Sequence, residues 1–247
     1  MTLKRMRASV AAACALALGG TTGAWAGGVR NVVELFTSQG CSSCPPADRV
    51  LNDLARDPST LALSFPVDYW DYIGWKDTLA DPGYTARQKA YAMAMGKDQV
   101  YTPQAIVNGL GDSVGSDRAS IQAEEIATGH RIGVLSTPLN VTQDGERIDV
   151  SVGAAPAGAP QSGGVYLLAI ASSRTVEINR GENAGSKVTY TNVVRAVSKL
   201  GEWNGTPVRF VADLARAHAD GADSYAVIVQ AGGLAAPSTI LAAAKGP

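Results

Sequence analysis

The chain has 247 residues, 46% of them hydrophobic and 17% charged, with a formal net charge of −1. That length accommodates one large domain or two modest ones, and that composition belongs to a folded globular chain. The near-neutral charge supplies no basic footprint, which excludes nucleic acid as a partner class, and there is no acidic tail.

The chain opens with a basic segment, Lys4, Arg5 and Arg7, then an apolar run over residues 10–18, then Ala24-Trp25-Ala26 as a small-x-small cleavage site. This is the pattern of a secretory signal peptide over residues 1–26, with an uncleaved anchor as the alternative. The apolar run is too short to span a bilayer. The expected location is periplasmic or secreted, with no membrane span after cleavage. Cys14 falls in the discarded segment, which leaves Cys41 and Cys44 as the cysteines of the exported chain. They would meet an oxidising compartment, where disulfides persist.

Residues 32–37 read as a first strand. Val50, Leu51, Leu54 and Ala55 fall on one face of a helix running from Cys44 to about Arg56, where Asp57-Pro58 ends it. Residues 61–67 give a second strand, followed by an aromatic loop with Tyr69, Trp70, Tyr72 and Trp75. After the turn Asp81-Pro82-Gly83, residues 84–95 predict a helix in which Met93 and Met95 read as packing residues. Residues 101–107 enter a third strand. Asn108-Gly109 signals a hairpin into a short strand ending at Val114, and Ser116 caps a helix that stops at Gly129.

Between the first strand and the first helix lies Gly40-Cys41-Ser42-Ser43-Cys44-Pro45-Pro46. Prolines are tolerated in a first helical turn, whose N–H groups have no intrahelical partner. Those free N–H groups also stabilise a thiolate, and a thiol placed there has a lowered pKa.

Beyond residue 132 the pattern changes. Residues 139–142 and 147–152 flank a turn containing Asp144-Gly145, and further strands are expected over 165–170, 175–178, 187–194, 207–211 and 224–230. Residues 238–244 end the chain as a strand or short helix. Several short strands with turn signals point to a β-sandwich or small barrel.

The order of the first half (β, C-x-x-C, α, β, α, X-Pro, β, β, α) resembles the thioredoxin fold. That resemblance implies a cis-proline opposite the C-x-x-C, where Pro103 stands after Thr102. It also implies a buried acid on the preceding strand, for which Glu34 stands one residue further from the first cysteine than in thioredoxins. The whole chain resembles a family of exported bacterial thioredoxin-like proteins of unassigned function. The resemblance rests on residues 33–48 (VELFTSQGCSSCPPAD), Asp68-Tyr69-Trp70, Gly74-Trp75-Lys76-Asp77, Gly181-Glu182-Asn183 and residues 190–195. It implies the fold and the export route, and no substrate. The expected architecture is an α/β thioredoxin-like fold over residues 27–132, followed by a mostly-β, sandwich-like C-terminal domain over 133–247.

Disulfide exchange needs one thiolate that attacks and a second thiol that resolves the mixed disulfide. Cys41, nearer the loop, is expected to be exposed and to attack, and Cys44 to be shielded and to resolve. Glu34 reads either as a buried proton acceptor or as a salt-bridged carboxylate. Thr102 and Pro103 are candidates for the substrate face, with a trans, strand-start proline as the alternative. Trp70 and Trp75 read as loop core or as a wall that receives a partner. The expected activity is thiol–disulfide exchange, with protein or small-molecule thiols and disulfides as partners, and no cofactor or metal. Two alternatives stay open. One is a non-enzymatic binding protein with a structural disulfide, although a four-residue closure contributes only roughly 2 kcal/mol against about 4–5 for a hundred-residue loop. The other is copper handling by the reduced pair, for which His130 and His218 stand far away in sequence.

Overall fold

A computed structural model describes residues 28–246. The expected signal segment, residues 1–26, lies outside the described residues.

The fold starts from a buried parallel pair, β1 (Asn31–Thr37) and β2 (Thr60–Pro66), in register from Asn31↔Thr60 to Thr37↔Pro66. Both faces of these strands are covered, so their sequences run apolar rather than alternating. α1 (Pro45–Leu54) connects them, with Pro45 and Pro46 in its first positions. α2 (Pro82–Ala94) follows, capped by the Asp81 carboxylate, which accepts from Gly83 N. β3 (Gln104–Val107) runs antiparallel to β1 and turns through Asn108-Gly109 into β4 (Gly111–Val114). α3 (Arg118–Gly129) is capped by Asp117 and not by Ser116: the Asp117 side chain accepts from Ser120 N at 3.0 Å.

The second half contributes β5 (Leu139–Asp144), β6 (Arg147–Val152), β7 (Gly163–Ile178), β8 (Ser186–Trp203), β9 (Val208–Asp213), the single turn α4 (Leu214–Ala217), β10 (Ser224–Gln230) and β11 (Ile240–Lys245). The strands at 165–170 and 175–178 are one strand. Ser172, Ser173 and Arg174 continue the ladder as β7 leaves the covering layers and its side chains become exposed.

The C-terminal strands do not stand apart as a separate sandwich. β7, β8, β10 and β11 extend the first half's sheet, giving eight strands in the order β11-β10-β7-β8-β2-β1-β3-β4. The seam is a single parallel pairing, Ser64↔Val193, and the left-handed Asn192 beside it (φ 48°) donates from Nδ2 to Ala62 O at 3.0 Å. The boundary expected near residue 132 therefore divides the sequence but not the sheet. The result is a mixed α/β sheet with parallel strands, plus a small antiparallel sheet β5-β6-β9.

Strand parity sorts the core. Val33 and Leu35 pack under Ala47, Leu51 and Leu54 of α1 and Ile121 of α3. Further along the same face, Val165, Leu167, Val227 and Val229 receive Val141, Ile148 and Val150 of the small sheet. On the opposite face Val32, Phe36, Leu63 and Phe65 meet Tyr84 and Tyr91 of α2 together with Tyr166, Leu168 and Ile228. Met93 does not join this packing and is exposed, whereas Met95 rests against it.

Glu34 lies on that α2 face. Its carboxylate takes a bidentate bond from Arg87 (2.6 and 2.8 Å) and another from the Tyr91 hydroxyl (2.7 Å). Arg87 Nη2 also donates to Gln230 Oε1 at 2.9 Å, and Gln230 Nε2 donates to Tyr91 Oη and to Ser238 O. Burial opposes the Arg87 charge, but the Glu34 carboxylate outweighs it and raises the guanidinium's pKa. Of the two expectations for Glu34, the salt-bridged one describes its position. Arg87→Met would leave that carboxylate buried without its counter-charge and is expected to cost about 3–5 kcal/mol. Urea unfolding measures it, and a loss below about 1 kcal/mol would refute this account of the network.

Candidate functional site

Cys41 and Cys44 form a disulfide with Cα atoms 5.4 Å apart. Cys44 is the N-cap residue of α1, and its carbonyl accepts from Ala47 N and Asp48 N. Cys44 N in turn donates to Cys41 O at 3.1 Å. Ser42 and Ser43 are exposed between them. Cys41 itself is not: it is 1% exposed and Cys44 0%, so the expected exposed attacking sulfur is covered in this disulfide form. Segments far away in the chain bond to the loop that carries it.

The loop before Cys41 is tied down atom by atom. Gln39 N donates to Asp77 Oδ2 at 2.7 Å, and Gln39 Oε1 accepts from the Trp75 indole at 2.8 Å. Gly40 has no room for a side chain, because a Cβ there would stand 3.0 Å from Trp70 Cβ. From the other half comes Asn183, at the tip (residues 179–185) of the long β7–β8 ribbon. Its Nδ2 donates to Gln39 O and to Cys41 O, both at 2.9 Å. The tip is held in place by Gly181, left-handed at φ 77°, where a Cβ would press on Trp75 Cβ at 3.1 Å. At the ribbon's root, Thr191 Oγ1 donates to Asn52 Oδ1 of α1, and Arg195 Nη1 to Leu79 O.

Asp48 stands one helical turn after Cys44 and is 4% exposed. Thr37 Oγ1 donates to its Oδ1 at 2.9 Å, while its buried Oδ2 has no hydrogen-bond partner. Burial, with repulsion from Asp77, pushes its pKa up to about 7 against the pull of the Thr37 bond. Asp77 is also buried, and burial raises it even though it accepts from Gln39 N and Leu79 N. Tyr190 of β8 feels both carboxylates, and burial followed by their charges raises its phenol. A buried carboxyl whose pKa desolvation raises to about 7 therefore stands at i+4 from the buried Cys44.

Trp70 links the loop to the third strand. Its Cβ and carbonyl oxygen lie against Gly40, and its indole donates to Thr102 Oγ1 at 2.7 Å. The Thr102–Pro103 peptide is cis, and Pro103 is buried. Tyr72 stacks on Trp70 with centroids 6.5 Å apart and is 81% exposed, so the aromatic loop is packing on one side and open surface on the other. The structure thus gathers Cys41, Cys44, Trp70, Trp75 and Thr102 around one loop, while Glu34 faces the opposite side of the sheet. Two residues of the site were not assigned from sequence. Asp48 carried the signal of a carboxylate at i+4 from a helix-start cysteine. Asn183 carried no local signal beyond turn chemistry. Among the described residues no three His, Cys, Asp or Glu side chains are grouped as metal ligands.

The chain is similar to protein AGR_C_4864 of Agrobacterium tumefaciens, known from a crystal structure. They share 32% identity over 88% of this chain and 93% of that one, with a TM-score of 0.78. It also resembles HBP35 of Porphyromonas gingivalis in fold alone, at 12% identity over 87% of this chain and 74% of that one, with a TM-score of 0.56. No protein of curated function matches it. Residues 32–230 match the family described as a protein of unknown function, DUF1223. The chain, with its Cys41–Cys44 disulfide inside the matched region, belongs to the DUF1223 family.

Proposed function

We propose that this protein is an exported thiol–disulfide oxidoreductase that exchanges electrons with protein or small-molecule thiols through Cys41 and Cys44. The observation that carries the reading is the disulfide at the N-terminus of α1 with the half-satisfied Asp48 carboxyl, its Oδ2 without a partner, one turn behind it. A structural disulfide has no use for a half-satisfied buried acid, which costs stability. The element order of residues 31–129 supports a thioredoxin-like fold for this region, and the N-terminal sequence pattern supports export to the periplasm or beyond the cell.

A substrate thiolate attacks Cys41 Sγ. The S–S bond breaks, and Cys44 leaves as a thiolate that takes up a proton, for which the Asp48 carboxyl is the nearby store. The substrate's second thiolate then attacks its own sulfur in the mixed disulfide and releases Cys41. The substrate dithiol is oxidised by two electrons and the protein pair reduced. The same steps in reverse reduce a substrate disulfide. Thr102, Pro103, Trp70 and the exposed Tyr72 ring form the flank against which a partner would lie. The burial of both cysteines favours a second reading, a non-enzymatic binding protein with a structural disulfide.

Insulin-disulfide reduction and dithiol oxidation by the mature protein separate the two readings. Turnover that disappears in Cys41→Ser is expected, and equal turnover by wild type and variant would sink the enzymatic reading. Asp48 makes a separate prediction. Its folded pKa of about 7 lies above the unfolded value of 3.8, so the folded state binds more protons across that window. Its contribution therefore falls as pH rises from about 4 to 7 and stays low above that. At about 1.4 kcal/mol per unit the full change is on the order of 4–5 kcal/mol. Urea unfolding at pH 5 and pH 8 is expected to show a greater loss in wild type than in Asp48→Asn. Parallel losses would remove Asp48 from this role.

A further inference from the structure

We infer that the tip of the β7–β8 ribbon is a cover over the disulfide, with Asn183 as its latch, and that exchange at Cys41 proceeds only from a form in which the latch is released. This rests on reading Cys41–Cys44 as an exchanging pair, and it names what regulates access to that pair. Asn183 is a positioning residue: it touches the backbone of the loop and not the reacting sulfur.

Three observations carry the inference. First, an attacking thiolate must reach Cys41 Sγ, yet Cys41 is 1% exposed although its neighbours Ser42 and Ser43 are open to solvent. Second, two backbone carbonyls of the loop are taken by the tip. Asn183 Nδ2 spends both of its donors on Gln39 O and Cys41 O, and Cys41 O also receives Cys44 N. Third, the tip is built to move as a unit. Residues 182, 184 and 185 are exposed, the outer ladder of β7 and β8 is exposed on alternate residues, and Gly181 and Gly185 are left-handed. Apolar packing of the ribbon runs from its root, where Tyr190 and Val193 pack with Ala171 and Leu79, through Val176 and Val188 to the buried Ile178, and stops there: the tip itself, residues 179–185, buries no side chain. Such a segment, rich in solvent-facing hydrogen bonds and poor in buried apolar contacts, lies at the low-stability end of a structure. A partner that binds the tip or displaces it would therefore open the pair without disturbing the sheet.

The test is the rate at which dithiothreitol reduces the disulfide in the full mature protein. One dithiothreitol thiolate attacks Cys41 Sγ and Cys44 leaves. The second thiolate then closes the oxidised ring and frees Cys41, and labelling with iodoacetamide reads the freed thiols. Asn183→Ala and Asn183→Asp both remove the two donors, and each is expected to be reduced about tenfold faster than wild type, the scale of two net hydrogen bonds. Lys187→Ala, on the same ribbon but away from the loop, is expected to keep the wild-type rate. Urea midpoints for all variants show whether a faster rate reflects the tip or general unfolding. Unchanged rates in both Asn183 variants, or faster rates that track a fallen midpoint, would overturn the cover. The assay also separates this inference from the oxidoreductase reading. A tenfold faster Asn183→Ala with no Cys41-dependent turnover of insulin in either protein keeps the cover and removes the enzyme. Cys41-dependent turnover with equal dithiothreitol rates does the reverse.

Discussion

The structure is held together by a charge pair that cannot exist alone. Glu34 and Arg87 meet in bidentate geometry inside the core, from β1 and α2, and each would be prohibitively costly to bury without the other. Their remaining bonding capacity reaches Tyr91 and Gln230, and Gln230 belongs to β10, far along the chain. The pair therefore satisfies its desolvation only when the N-terminal strands, α2 and the C-terminal strands are all in place. Arg87 also lies over the Phe65 and Tyr91 rings, 5.6 and 5.0 Å from their centroids, so the surrounding aromatic core is shaped to this one cation. A polar network of this kind contributes uniqueness more than stability. It accepts one arrangement of the two halves and penalises every other.

The same logic explains why the second half of the sequence matters for the first half's cysteines. Residues 38–41, 75–79 and 181–183 are distant in sequence and converge on one loop. Every polar group of Gln39 is engaged: its N–H by Asp77, its side chain by Trp75 and Thr78, its carbonyl by Asn183. A sixteen-residue strand and an eighteen-residue strand carry Asn183 to that point. The ribbon they form is continuous with the central sheet, which fixes its direction.

Much of this was legible in the sequence where the signal was local. The first strand, the helix beginning beside Pro45 and Pro46, the Asn108-Gly109 hairpin and the β5–β6 hairpin all follow from periodicity and turn chemistry. The assembly of the halves was not legible, because the seam is one residue pair, Ser64 with Val193, and no pattern marks which strand edge another strand will choose. The long ribbon was hidden for a related reason. Ser172-Ser173-Arg174 looks like a break, but a two-stranded ribbon outside the core needs no apolar alternation to keep its ladder. The sixteen-residue signature predicted a cysteine pair at a helix start and found it. It gave no warning that Gly181-Glu182-Asn183 lies against that pair, since a turn motif reads the same wherever its tip lands.

The two buried carboxyls show how parity decides chemistry. On β1, Val33, Leu35 and Thr37 face α1, while Val32, Glu34 and Phe36 face α2. Cys44 begins α1, so no rotamer of Glu34 brings its carboxyl to that sulfur through the sheet. Glu34 found a full-strength partner, Arg87, on its own side of the sheet. Asp48 is on the cysteine's side, reached by Thr37 from the strand and by i+4 spacing from Cys44, and it has a neutral hydroxyl where Glu34 has a guanidinium. Burial raises the Asp48 carboxyl to about 7. The acid to which the fold resemblance points is thus tied to Arg87 on the far side of the sheet, and the acid in the helix's first turn is the one on the cysteine's side.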